Sequence, residues 1–82
     1  MPSRSRYIGP MREVVVYSRA GCHLCDDAIE LLRQFGVAPT VVDIDHDEEL
    51  RRQYGEWVPV VVIDGVERFR GRIDARLLRR ML

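Results

Sequence analysis

Apolar residues fall into short runs along the chain, and the spacing within each run predicts an element. From Glu13, Val14-Val15-Val16-Tyr17 is β-branched and continuously apolar up to Ser18, the pattern of a strand covered on both faces in a parallel sheet. Arg19-Ala20-Gly21 then reads as a turn. Between Cys22 and Phe35 the apolar positions 24, 25, 28, 31, 32 and 35 follow the roughly 3.6-residue period of a helix, which Gly36 stops. After Pro39, Thr40-Val41-Val42-Asp43-Ile44-Asp45 predicts a second strand. His46 to Tyr54 predicts a short helix with its polar face outward, closed by Gly55. Val58-Pro59-Val60-Val61-Val62-Ile63 predicts a third strand, Asp64-Gly65 is a strong hairpin signal, and Val66 to Phe69 returns as a fourth. Gly71 breaks the pattern, and Ile73, Leu77, Leu78 and Met81 predict a last helix over Ile73–Leu82 that closes one face of the sheet.

The resulting order is β-α-β-(α)-β-β-α. A helix between parallel strands requires a right-handed crossover and the hairpin adds an antiparallel edge, so an α/β fold is expected, a four-stranded mixed sheet with helices packed on it. Residues 1–12 include Pro2, Ser3, Ser5, Gly9 and Pro10 and show little periodicity. They read as a flexible extension before a domain over 13–82, with packing of Tyr7 and Ile8 on the domain as the alternative and Met11 as an alternative start to Met1.

Length and composition narrow the picture. The 82 residues make one domain, and a chain this short buries only about 60% of the surface it exposes when unfolded. Hydrophobic residues at 46% and charged residues at 32% are ordinary for a globular protein. The 13 basic residues, all arginine, balance 13 acidic ones, so no long-range field draws nucleic acid or anionic membrane. Partners are therefore recognised locally, and a monomer is expected. The N-terminal stretch lacks the apolar run of a signal peptide, and no segment approaches the roughly 20 apolar residues that span a membrane. Two cysteines are too few for the disulfide framework of a small secreted domain. A cytoplasmic, reducing setting is the expectation.

Cys22-His23-Leu24-Cys25 follows a predicted strand and opens a predicted helix, the context in which C-x-x-C reads as a redox motif. Unpaired N–H groups and the macrodipole at a helix start stabilise a thiolate, where an unperturbed thiol has a pKa near about 8.5. The attacking species is the thiolate, so Cys22 is expected to be the nucleophile and Cys25, less exposed one turn on, the resolving thiol. Arg19 adds positive charge upstream, and His23 does so when protonated; Asp26 and Asp27 act in the opposite direction. Two rival readings are weaker. Zinc takes four ligands, and beyond the cysteines only His23 and His46 are soft donors, so no metal is expected. A purely structural disulfide would close a very short loop, where cross-linking stabilises least.

Taken together these residues resemble a glutaredoxin, and more closely the small glutaredoxin-like proteins. The likeness runs from Val14 to Leu82 and rests on Val15-Val16-Tyr17-Ser18-Arg19-Ala20-Gly21-Cys22-His23-Leu24-Cys25, Val58-Pro59, Asp64-Gly65, and Gly71 with Asp74. It implies a thioredoxin-like fold with a cis bond before Pro59 beside the cysteines. It implies also that the Val58 main chain pairs with the substrate as an added strand does. Trp57 is expected to shape the same groove, half-buried packing being the alternative. Arg19, His23, Trp57, Val58, Pro59, Gly71 and Asp74 are thus the expected substrate-binding residues. Departures from the family pattern are His23-Leu24 inside the motif, Arg70 in place of a second glycine, and Arg72 and Ile73 after Gly71.

The resemblance implies a thiol–disulfide oxidoreductase working in cell redox homeostasis on glutathione or a protein disulfide, with glutathione as co-substrate and no tightly bound cofactor. It leaves two alternatives: an iron–sulfur cluster held between two subunits by the first cysteines and two glutathiones, and a partner-binding module in which the cysteines are incidental.

Overall fold

The computed structural model describes residues 13–82, so the extension assigned to 1–12 and the choice between Met1 and Met11 lie outside the described residues. Strands β1 (Val14–Ser18), β2 (Thr40–Asp43), β3 (Val60–Ile63) and β4 (Val66–Arg70) form one sheet in the order β2-β1-β3-β4. β1 and β2 are parallel, whereas β1 with β3 and β3 with β4 are antiparallel, which is the expected mixed sheet. Helices α1 (His23–Gln34), α2 (Glu48–Tyr54) and α3 (Ala75–Met81) complete the domain.

Alternation along the central strands sorts the core into two layers. Val14, Val16, Val61, Ile63 and Phe69 pack with Leu32 of α1 and Leu78 of α3. On the opposite face Val60 packs with Ile44 and Tyr54, against which Tyr17, Leu50, Val58 and Val62 also lie. β3 is therefore covered on both sides, as a continuous Val/Ile run requires. β1 differs from the expectation: its burial alternates, with Val15 and Tyr17 only partly covered, because the short α2 shields less than the α1/α3 layer.

Element boundaries shift where a side chain caps a helix. Cys22 is the N-cap of α1 and not its first turn. β2 stops at Asp43, whose Oδ1 accepts from the Asp45 N–H at 2.9 Å and turns the chain into a 3-10 helix over Ile44–His46, residues expected as strand and helix. Asp47 then caps α2, accepting from the N–H groups of Glu49 and Leu50. A second 3-10 turn, Gly55–Trp57, delays β3 until Val60. Asp74 caps α3, which therefore begins at Ala75 and not at Ile73. The hairpin follows from Asp64 and Gly65, both at positive φ (52° and 83°), the backbone of a type I′ turn.

The register decides what meets at the working end. Tyr17 pairs with Val60, Ser18 with Asp43, and Val60 with Arg70. One end of the sheet thus gathers the turn leading to Cys22, the Asp43–Asp45 corner, Val58-Pro59 and Arg70-Gly71.

Candidate functional site

Cys22 and Cys25 are joined as a disulfide with their Cα atoms 5.2 Å apart, within the usual disulfide range of about 4.4–6.8 Å. As N-cap, Cys22 places its Sγ to accept the Cys25 N–H at 3.2 Å, and its carbonyl accepts from Asp26 N–H, the first α-helical bond. A sulfur at this position receives a backbone donor and the positive end of a helix of 12 residues. The two sulfurs are not equivalent. Cys22 is partly exposed, whereas Cys25 is 2% exposed beneath it.

Around the pair the expected residues take distinct positions. His23 is exposed on the first turn of α1. Arg19 turns its guanidinium to Asp45, Nε donating to Oδ1 at 3.0 Å, so its charge is shared with a carboxylate as well as lying near the motif in sequence. The Val58–Pro59 peptide bond is cis; Pro59 is buried, and Val58 is partly covered by the second core layer. Both residues precede Val60, the first residue in the ladder, so their main chain lies beyond the sheet at the cysteine end.

Gly71 adopts φ 86°, the left-handed region that favours glycine, and its N–H donates to the Pro59 carbonyl at 2.8 Å. Asp74 has a structural duty, its Oδ1 accepting from Arg76 and Leu77 N–H at 2.9 and 3.3 Å. Trp57 is 56% exposed, and its ring lies under the Arg70 guanidinium at 5.5 Å.

Some neighbours were not legible beforehand. A groove of about 230 Å³ opens beside the motif between α1 and the turn before α3, floored by Ala28, Leu31 and Ile73 and edged by Leu24, Asp27 and Arg72. Leu24 belongs to the apolar periodicity of α1 yet is 42% exposed, at the edge of this groove. The only sequence signal was an apolar residue within the motif. Glu67 and Arg70 were equally silent, as strand neighbours three apart are expected on opposite faces. Among the described residues, no group of three or more His, Cys, Asp and Glu side chains is placed to hold a metal ion. No helix among them is long and apolar enough to cross a membrane.

Residues 13–82 match the family described as Glutaredoxin-like domain (DUF836). A protein of Nitrosomonas europaea solved by NMR is 32% identical with a TM-score of 0.79, over 95% of this chain and 98% of that one. An X. campestris protein solved by X-ray crystallography is 40% identical with a TM-score of 0.71, over 83% of this chain and 92% of the other. The crystal structure of a glutaredoxin from Archaeoglobus fulgidus is 26% identical with a TM-score of 0.62, over 85% of each chain. The fold is thus thioredoxin-like, and the family domain with its Cys22–Cys25 pair supports a redox-type role.

Proposed function

The chain belongs to the glutaredoxin-like DUF836 family, and from that premise we propose that it is a thiol–disulfide oxidoreductase in which Cys22 attacks and Cys25 resolves. One observation carries the assignment: at the start of α1 the partly exposed Cys22 sulfur accepts a backbone N–H, while Cys25 is buried behind it. Only the former is open to a bulky disulfide, and its thiolate is the better stabilised.

In the reduced protein the Cys22 thiolate attacks one sulfur of a substrate disulfide in line with the S–S bond. A Cys22–substrate mixed disulfide forms, and the other substrate sulfur departs as a thiolate that takes a proton from water. Cys25, deprotonated in turn, attacks the Cys22 sulfur, closes the Cys22–Cys25 disulfide and expels the second substrate thiolate. The substrate gains two electrons and becomes two thiols; the cysteine pair loses them. Glutathione, two molecules per turnover, or a protein dithiol returns the pair to the reduced state. The Val58-Pro59 main chain, beyond the ladder at the same end of the sheet, offers an edge for an extended substrate. Such a cycle suits a reducing, cytoplasmic setting.

Brief alkylation of the fully reduced protein at neutral pH, read by peptide mass spectrometry, should label Cys22 well before Cys25. Equal labelling, or failure to reduce both insulin and mixed glutathione disulfides, would overturn the proposal.

A further inference from the structure

Glu67 and Arg70 make a two-pronged ion pair within one strand, Arg70 Nε to Glu67 Oε2 at 2.8 Å and Nη2 to Oε1 at 3.0 Å. Side chains alternate along a regular strand, so residues three apart point to opposite faces and cannot meet. The register removes the contradiction. Val61 pairs with Phe69 but Val62 pairs with Glu67, which leaves Arg68 as the extra residue of a β-bulge. The bulge resets the alternation and turns Glu67 to the face that carries Arg70. There the Arg70 guanidinium covers the Trp57 ring at 5.5 Å, inside cation–π range.

Trp57 is the most exposed of the large apolar side chains described, at 56%, and it directly precedes Val58-Pro59. The hydrogen bond from Arg70 holds the Glu67 carboxyl below its usual range, and the same bond raises the Arg70 guanidinium, so the pair stays intact through ordinary pH. Their charges cancel. The exposed Trp57 ring therefore stands against an internally paired guanidinium, which suits an apolar group better than an anion.

We propose that Trp57, its ring backed by Arg70 and fixed through Glu67, is a docking shelf for an apolar or aromatic side chain flanking the disulfide of a polypeptide substrate. The proposal rests on the exchange chemistry assigned to Cys22 and Cys25 and names its substrate class. Glutathione, with two carboxylates and no large apolar side chain, has nothing to place on such a shelf. Arg70 and Glu67 are positioning residues acting through Trp57. Tryptophan is enriched among the few residues that carry most of the binding energy at recognition surfaces.

The test compares kcat/KM of the full chain for three substrates: a cystine peptide with leucine or phenylalanine beside one cysteine, the same peptide with glycine there, and bis(2-hydroxyethyl) disulfide. The wild-type chain should prefer the apolar peptide, and in Trp57→Ala the ratio of that peptide to the small disulfide should fall about tenfold, through KM. Arg70→Lys, which cannot form the two-pronged bond, should give an intermediate fall, and Glu67→Gln should shift preference toward a peptide with an acidic neighbour. An unmoved ratio in Trp57→Ala overturns the shelf. Because Trp57 is the chain's only tryptophan, its fluorescence reads docking of the apolar peptide with both cysteines replaced by serine. A fluorescence change without turnover of any disulfide sinks the exchange chemistry and keeps the shelf; turnover with neither a fluorescence change nor a peptide preference does the reverse.

Discussion

Replacing Cys25 by serine removes the thiol that closes the cycle and leaves the thiol that opens it. Cys25→Ser should therefore accumulate a mixed disulfide on Cys22 that persists in non-reducing mass spectrometry, whereas Cys22→Ser should form none. The burial difference between the two sulfurs is the reason. Glu67 makes a second prediction at this scale. Its folded-state pKa is lowered, so the ion pair stabilises the fold above the ordinary carboxylate range and the contribution disappears as pH falls through the lowered value. The melting-temperature gap between wild type and Glu67→Gln should hence narrow from about pH 6 to about pH 3. An unchanged gap would count against the pairing. The cysteines could be recognised because C-x-x-C stands between a predicted strand and a predicted helix, a context with few other physical uses. The Glu67–Arg70 pair could not, since no residue type announces a bulge at Arg68.

At the level of elements, caps govern where helices start. Asp74→Ala strips the acceptor from Arg76 and Leu77 N–H, an expected loss of about 1 kcal/mol. For a domain of this size that corresponds to a melting temperature lower by roughly 4–8 °C in a thermal scan, with Asp74→Asn recovering most of it. The same local chemistry explains where apolar periodicity misplaced boundaries. Ile73 fits the helical spacing of α3 but lies before its cap, packed against the core from the preceding turn. Ile44 fits a strand run, yet it is fully buried in a 3-10 turn because Asp43 folds the chain back on itself. Periodicity reports which residues are buried, and a buried residue need not be inside the regular element next to it. The hairpin was readable because an Asp-Gly pair tolerates two successive positive φ values at little cost.

For the whole molecule, stability is concentrated in few side chains. Leu32 and Leu78 are fully buried between the sheet and the α1/α3 layer. Leu32→Ala should cost about 2–5 kcal/mol, a large share of the roughly 5–15 kcal/mol that holds a domain together. Chemical denaturation should show a much lower midpoint, while Val41→Thr on the exposed edge strand β2 should leave it nearly unchanged. By itself the sequence determined the element order, the mixed α/β class, the hairpin, and the cysteine pair at a strand-to-helix junction, because each follows from local residue patterns and the connections those patterns permit. Only the tertiary structure decided the strand order β2-β1-β3-β4, the hydrogen bond from Gly71 to the Pro59 carbonyl, and the single extra residue in β4 that brings Glu67 to Arg70 beside the Trp57 ring. Those depend on register between segments far apart in sequence, where a shift of one residue turns every side chain to the opposite face.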